Sequence, residues 1–293
     1  MKTRATLIGF TAILMWALLA LFTAASGKMP PFQLSAVCFL IGSLPGIVVL
    51  IARPQRARLL KQPAKVWITG ILGLFGYHFL YFTALRNAPA VEASLIAYLW
   101  PLLIVTGSAM LPGETLRWNH VVGTLLGLGG TALIVGRNGV TFDSAYLIGY
   151  GAAFLCAFTW AGYSLATRRF EAVSTDVVTG FCLATSILSL ICHLMLETTV
   201  WPQTGFEWLA IAGLGLLPVG AAFYVWDYGV KNGDIQILGA ASYAAPLLST
   251  LVLILSGFAE PTWTIALACL LVTGGAVLAA KDMIFRRAVA SPA

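Results

Sequence analysis

Residues Asn87 to Leu103 read N-A-P-A-V-E-A-S-L-I-A-Y-L-W-P-L-L, and residues Asn232 to Leu248 read N-G-D-I-Q-I-L-G-A-A-S-Y-A-A-P-L-L. The second stretch begins 145 residues after the first, and both follow a basic residue. Each places a tyrosine three residues before Pro-Leu-Leu. Such self-similarity at a fixed offset is typical of an internal repeat.

The repeat extends beyond these stretches. Trp118 and Gly129 meet Trp263 and Gly274 at the same offset, and Trp16-Ala17 is repeated as Trp160-Ala161. We therefore expect two tandem units, residues 1–140 and residues 141–293.

The composition indicates an integral membrane protein. Hydrophobic residues make up 59% of the 293-residue chain and charged residues only 10%, far from the globular average. The net charge of +6 comes from basic residues between apolar runs, so no nucleic-acid partner is expected. The five cysteines have no C-x-x-C spacing, which argues against a zinc site or a disulfide framework. No cofactor or metal is expected.

Apolar runs of about 20 residues, the length that a helix needs to cross a bilayer, can be marked off along the whole chain. Lipid cannot satisfy backbone polar groups, and no alternating pattern suggests a barrel, so each run is predicted to be a helix. The predicted spans are residues 5–26, 32–52, 66–86, 90–111, 119–136, 145–167, 176–197, 207–229, 234–257 and 262–283.

The basic residues indicate the orientation. Of 17 Lys and Arg, only Lys28, Arg86 and Arg137 fall on one side of this topology, and the other 14 fall on the opposite side. The positive-inside rule then predicts an inner-membrane protein with both termini in the cytoplasm. Because each unit has an odd number of spans, five, the second unit starts on the opposite side of the membrane and has the inverted orientation. The predicted fold is all-α, with ten transmembrane helices in two inverted five-helix repeats around a central cavity.

The run L-P-G-E-T-L-R-W-N-H-V-V-G-T-L-L-G-L-G-G-T-A-L-I-V (111–135) resembles the end of an EamA repeat of the drug/metabolite transporter superfamily. Within it, G-Y-H-F-L-Y-F-T-A-L-R-N-A-P (76–89) and Y-V-W-D-Y-G-V-K (224–231) resemble the YddG-type aromatic amino acid exporters. The resemblance implies export of aromatic amino acids and of some xenobiotics such as methyl viologen.

The third predicted helix carries the first candidate binding residues. Tyr77, His78 and Tyr81 share one face because they are spaced three and four residues apart. His78 is the only ionisable side chain near the centre of a predicted span, and such a group is costly unless it faces a cavity or a partner. The alternative is a buried neutral histidine that donates to a backbone carbonyl.

The sixth helix places Trp160, Tyr163, Ser164 and Thr167 on one stripe. Hydroxyl groups mixed with aromatic rings suit the bundle interior better than lipid, although hydrogen bonding between helices explains Ser and Thr equally well. We predict that Trp160, Tyr163 and Ser164 bind substrate.

The repeated stretches supply the remaining candidates. Tyr98, Trp100, Ser242 and Tyr243 are predicted to bind substrate, and Pro101 and Pro246 are predicted to bend their helices, because proline removes a helical hydrogen bond. We expect these bends to let the two halves rock about the site.

The predicted cavity offers aromatic faces, hydroxyls and one imidazole, with no deep Lys or Arg to hold a phosphate. Such a lining favours flat rings through stacking and organic cations through cation–π attraction. The expected function is export of an aromatic amino acid by alternating access, with Ser164 and Ser242 near its head group. The alternative is a multidrug exporter of lipophilic cations with the same fold.

Energy coupling stays open between a facilitator, which we favour, and weak proton coupling through His78. An intramembrane enzyme is not expected, since neither H-E-x-x-H nor G-x-S-x-G occurs and the three histidines lie on different helices. The expected partners are a small-molecule substrate and the lipid bilayer, with a monomer as the working expectation.

Overall fold

A computed structural model describes residues 2–136, 139–255, 260 and 262–289. Within these residues nine helices are long and apolar enough to cross a membrane, and one bent helix pair makes a tenth span. We number the spans α1 to α10. Their bounds are Lys2–Ala25, Pro31–Ala52, Ala64–Asn87, Ala90–Met110, Trp118–Val135, Ser144–Arg169, Val177–Leu196, Gly205–Asn232, Ile235–Ala241 with Ala244–Leu255, and Trp263–Val289.

Several spans are interrupted, and the interruptions repeat. α3 contains a π-helical segment at Leu72–Gly76, and α8 contains one at Leu217–Ala221, at the same offset of 145 residues. α4 is divided into Ala90–Ala97 and Trp100–Gly107, in the position that corresponds to the break of α9. The repeat therefore shows in local backbone structure as well as in sequence.

The ends of α8 and α9 follow from local sequence. Thr204 Oγ1 accepts a hydrogen bond from Glu207 N at 3.2 Å, and Glu207 Oε2 accepts one from Thr204 N at 3.3 Å, which satisfies unpaired amides at the start of α8. Asp234 accepts from the amides of Gln236 and Ile237 and starts α9 directly after α8 ends.

Two sets of contacts establish the two faces of the bundle. Lys2, at the start of the chain, lies 3.7 Å from Glu114 and 3.5 Å from Asp234, and we call this the N-terminal face. Arg86 binds Glu197 at 2.7 Å on the opposite side, which we call the far face.

The two units are packed upside down relative to each other. Near the N-terminal face, α1 crosses α8 so closely that a Cβ on Gly9 would lie 2.9 Å from the Cα of Gly229. Near the far face, α6 crosses α3, and a Cβ on Gly149 would lie 2.6 Å from the carbonyl oxygen of Asn87. The equivalent crossing thus occurs at opposite faces, as the predicted inverted repeat requires.

The last helices of the two units, α5 and α10, pack against each other. α5 contacts α10 along most of its length, and glycines meet there: a Cβ on Gly275 would lie 3.1 Å from the amide of Gly127. Small residues allow this approach without a hydrophobic driving force in lipid. Of this pair, only α5 reaches the large cavity among the described residues, at Ile134 and Val135.

Candidate functional site

A cavity of about 870 Å³ lies between the two units. Its walls come from α1, α2, α3, α4, α5, α6, α8 and α9, and they include the α1–α2 connection at Ser26 and Met29 on the far face. The cavity therefore opens at the far face. The predicted residues that line it are Tyr77, His78, Tyr81, Tyr98, Trp100, Trp160 and Pro246.

α3 presents its aromatic face to this cavity just after its π-helical segment. The rings of Tyr77 and Tyr81 are nearly parallel, at 5° and 6.1 Å between centroids. His78 Nδ1 donates to the carbonyl oxygen of Leu74 at 2.7 Å, since a carbonyl can only accept. His78 thus combines both interpretations offered by the sequence: it lies on the cavity wall and donates to the backbone.

The break in α4 brings polar groups to the same wall. Tyr81 Oη lies 3.3 Å from Ser94 Oγ, at a hydrogen-bonding distance. Pro101 has no N–H, so the carbonyl of Ala97 loses its usual helical donor, and Ala97 lines the cavity. A backbone carbonyl in this position can accept a hydrogen bond from a bound molecule.

The proline of α9 lies at a bend. The two segments of α9 meet at 41°, and Pro246 follows the bend and lines the cavity. α4 is divided near Pro101 but remains straight enough to form one span. Whether the halves rock about these positions stays a prediction.

Trp16, Trp100 and Trp160 form the floor of the cavity, and the fully buried Trp226 packs against them. We call these four residues the tryptophan layer. Ring centroids within it are 5.2 Å apart for Trp16 and Trp226, and 6.2 Å apart for Trp100 and Trp160. Most pairs meet edge to face, the arrangement that the quadrupole of aromatic rings favours.

Indole N–H groups hold this layer in place. Trp16 Nε1 donates to the carbonyl of Pro218, inside the π-helical segment of α8, at 3.1 Å. Trp226 Nε1 donates to Ser164 Oγ at 3.1 Å. Since buried indole N–H groups require partners, these two bonds set the orientation of the rings on which a ligand would rest.

Five predicted residues do not line this cavity. Pro101 lies behind it in α4. Ser164 is fully buried and accepts from Trp226, and Ser242 donates to its own helix at Leu238 O at 2.7 Å. Tyr243 is buried against Gly127. Tyr163, one turn beyond Trp160, lies on the other side of the tryptophan layer.

Several lining residues were missed by sequence reasoning. Trp16 and Phe223 lie on the floor and wall, and Ser94, Ser249 and Thr250 add hydroxyl groups. The repeat contained a signal for two of them: Trp16 is the counterpart of Trp160, and Phe223 stands 145 residues after His78. Candidates chosen in one unit could have been transferred to the other.

Tyr163 lines a second, much smaller cavity on the N-terminal side of the tryptophan layer. Its volume is about 10 Å³, close to the minimum for a single water molecule. α3, α6, α7 and α8 surround it, and Thr69, Thr167, Asp227 and Lys231 add polar groups to that of Tyr163. Trp160 and Tyr163 are 5.2 Å apart between ring centroids, so the two cavities share a wall.

Charged groups lie at the two ends of the bundle. None of the described residues that line the large cavity is Asp, Glu, Lys or Arg. On the N-terminal face, Arg168 binds Glu114 at 2.8 Å and also the carbonyl of Lys231, which ties α6 to α4–α5 and to α8. On the far face, Glu197 also accepts from the amides of Phe32 and Gln33 at 3.1 Å.

The family model for EamA-like transporters matches the chain twice, at residues 3–136 and 147–280. The chain is 55% identical over 280 residues to the aromatic amino acid exporter YddG of Ancylobacter novellus, covering 95% of this chain and 97% of that protein. It is 27% identical over 291 residues to the exporter of the same name from Escherichia coli K12, covering 94% and 97%. A crystal structure with 54% identity superposes with a TM-score of 0.92, covering 96% of this chain and 99% of that one.

Proposed function

The chain belongs to the EamA-like transporter family, and from this premise we propose that it exports aromatic amino acids across the inner membrane by alternating access. Both named YddG relatives are aromatic amino acid exporters and are matched over nearly their whole length. The observation that carries the proposal is the ring-lined cavity of about 870 Å³, which is open at one face and closed at the other. That volume lies within the usual range for small-molecule sites.

The cavity suits the side chain of an aromatic amino acid. Tyr77, Tyr81, Trp16 and Trp160 present ring faces or edges, and each favourable ring pair adds about 0.5 to 1.5 kcal/mol beyond the burial of area. The head group would meet dipoles. Ser94, the Ala97 carbonyl and the two helix breaks are the candidates on the cavity wall.

The orientation follows from charge. Since 14 of the 17 Lys and Arg residues fall on the side of the N-terminal face, we place that face in the cytoplasm. The structure would then represent the outward-open state, and the inward-open state would release the contacts of Lys2, Glu114 and Arg168 on that face.

The same lining is less suited to a lipophilic dication. Ring faces attract cations, but the described wall carries no carboxylate to replace lost hydration. We therefore place multidrug export second and expect methyl viologen to compete weakly with tryptophan.

Flux in proteoliposomes tests this function. Purified protein should transport labelled Phe and Trp faster than protein-free liposomes, and transport of an uncharged control such as glycerol should stay at background. If both aromatic amino acids cross the membrane no faster with the protein than without it, the proposal is refuted.

The variants His78→Ala and Tyr98→Ala should each lower flux without lowering expression. Trp208→Ala, on the exposed outer surface of the bundle, serves as their control. The assay with and without a pH gradient also separates a facilitator from proton coupling.

A further inference from the structure

The repeat relates the small cavity to the large one. An offset of 144, set by Trp16 and Trp160, applies to the first helix of each unit, and an offset of 145 applies to the third. Residues that line the large cavity then correspond to residues that line the small one. The pairs are Leu19 with Tyr163, Thr23 with Thr167, and Phe82 with Asp227. The small cavity therefore lies, in the second unit, at the position that corresponds to the outer part of the large cavity in the first unit. It is the closed counterpart of that outer part.

The two regions differ in charge. Phe82 on the far side is replaced by Asp227 on the N-terminal side. Asp227 Oδ2 accepts from Lys231 Nζ at 2.8 Å and from Thr175 Oγ1 at 2.6 Å, and Lys231 Nζ also donates to the carbonyl of Val173 at 2.9 Å. The two charged side chains are only 1% and 3% exposed. Opening of this side would uncover a carboxylate and an ammonium.

A buried ion pair is weak support for stability, because the loss of hydration offsets most of the attraction. Here the surroundings also fall short of complete pairing. Tyr163 is 3% exposed as a whole residue and lines the same cavity. Its hydroxyl makes no hydrogen bond of normal geometry to the described residues. Polar side chains, among them Tyr163, Asp227 and Lys231, therefore surround a space that holds at most one water molecule in this state.

We propose that Asp227 and Lys231 form an entrance site for the zwitterionic head group of the substrate on the N-terminal side. This rests on the proposed function, since it names how the aromatic amino acid is first bound. When that side opens, Asp227 binds the substrate ammonium and Lys231 binds its carboxylate. The aromatic side chain then lies toward Tyr163, in contact with Trp160 and the tryptophan layer.

The entrance site explains why, among the described residues that line the two cavities, Asp and Lys occur only on the N-terminal side. Arg86, the counterpart of Lys231, is paired with Glu197 outside the lining of the large cavity. A substrate taken up from the cytoplasm must leave water, and two fixed charges of opposite sign replace the hydration of its head group. On the far side the substrate is released, and an uncharged wall holds the head group less tightly. After release, Asp227 and Lys231 bind each other again, so neither charge remains unpaired when the side closes.

The test compares the two directions of transport in inside-out and right-side-out vesicles, with labelled phenylalanine as the probe. Asp227→Asn and Lys231→Gln should each raise the KM for uptake from the N-terminal face by about tenfold or more. The KM from the far face should stay within about twofold. Arg56→Gln is the matched control, because Arg56 binds Asp176 at 3.2 Å near the same face, outside the small cavity.

The two variants should also differ in specificity. Asp227→Asn should weaken competition by phenethylamine, which has only the ammonium, and Lys231→Gln should weaken competition by phenylpropionate, which has only the carboxylate. KM values that are unchanged, or that rise equally from both faces, overturn the entrance site while the export function stands. Absence of flux in the unaltered protein overturns both.

A second measurement does not depend on altering the ion pair. In a variant without the five native cysteines, Thr167→Cys should react with an impermeant thiol reagent from the N-terminal face only, and phenylalanine should slow that reaction. Thr23→Cys, its counterpart in the first unit, should react from the far face. If phenylalanine does not change the rate at residue 167, the entrance site is refuted.

Discussion

The two sides of the tryptophan layer are built by the same repeat and yet differ in volume by almost two orders of magnitude, about 870 Å³ against about 10 Å³. On the far side the first and third helices of the first unit stand apart. On the N-terminal side their counterparts, α6 and α8, are held together with α3 and α7 by contacts of Tyr163, Lys231 and Arg168. The two units therefore display, in a single structure, the open and the closed form of equivalent packing.

The largest effect should come from blocking closure on the N-terminal side. Gly73 faces the Tyr163 ring so closely that a Cβ would overlap it. Gly73→Val should hold α3 away from α6 and reduce transport by about ten- to hundredfold, since overpacking costs about 1 to 3 kcal/mol. Labelling of Thr167→Cys from the N-terminal face reports the opening. Gly162→Val, where an added side chain meets no neighbour within 4 Å, is the control.

A smaller increase in the population that is open at the N-terminal face should follow from removing the ion pair that closes this face. Arg168 is one-fifth exposed and binds Glu114, which is 7% exposed, so Arg168→Gln takes the nearer cation from a largely buried carboxylate that Lys2 approaches only to 3.7 Å. The closed form should lose about 1 to 3 kcal/mol, and Thr167→Cys labelling should accelerate about tenfold. Equal acceleration in Arg169→Gln, which removes only an exposed contact to Met110, would argue against a specific role.

On the far side, single rings should matter less, because several share the contact with the substrate. Trp16→Leu removes one ring from the tryptophan layer and should raise the KM for Trp about two- to tenfold, which matches the loss of one aromatic pair. The comparison is with Trp208→Leu on the lipid-exposed surface, in the same flux assay. A KM that is unchanged by Trp16→Leu would place the substrate elsewhere.

The smallest effect on binding should come from Ser164, which the structure places behind the layer. Ser164→Ala leaves the indole N–H of Trp226 without its partner and should cost about 1 kcal/mol of folding stability. The KM for Trp should change less than about twofold. Thermal unfolding in detergent and the flux assay together check this, and a large rise in KM would return Ser164 to the substrate.

Much of the fold could be predicted from the sequence because hydrophobic length, basic residues and repetition all reflect the lipid environment. The predicted spans agree with the described helices within a few residues. The break of α4 at Tyr98 and the 41° bend of α9 lie close to the repeated prolines, and that Pro101 and Pro246 cause bends stays a prediction. The π-helical segments were not predicted, because the glycines of Leu72–Gly76 and the Pro218 of Leu217–Ala221 indicate an irregular helix but not which form it takes.

The site was harder to predict because helical spacing gives a face but not a depth. Trp160 and Tyr163 share a face of α6, and yet Trp160 lines the large cavity and Tyr163 the small one. Which side is open depends on the conformational state, and residue patterns describe both states at once. Ser242 lies outside the cavity lining for a different reason: a short hydroxyl beside a helix break bonds its own backbone more easily than a ligand.

The tryptophan layer has an electrical consequence. Its rings are packed within about 6 Å of one another, and its indole N–H groups at Trp16 and Trp226 are already bonded to the protein. No continuous file of water can cross such a plug, and a bare ion would lose its hydration there without compensation. A cell could therefore keep many copies in its membrane, each with the cavity open at the far face, without leaking protons or short-circuiting the membrane potential.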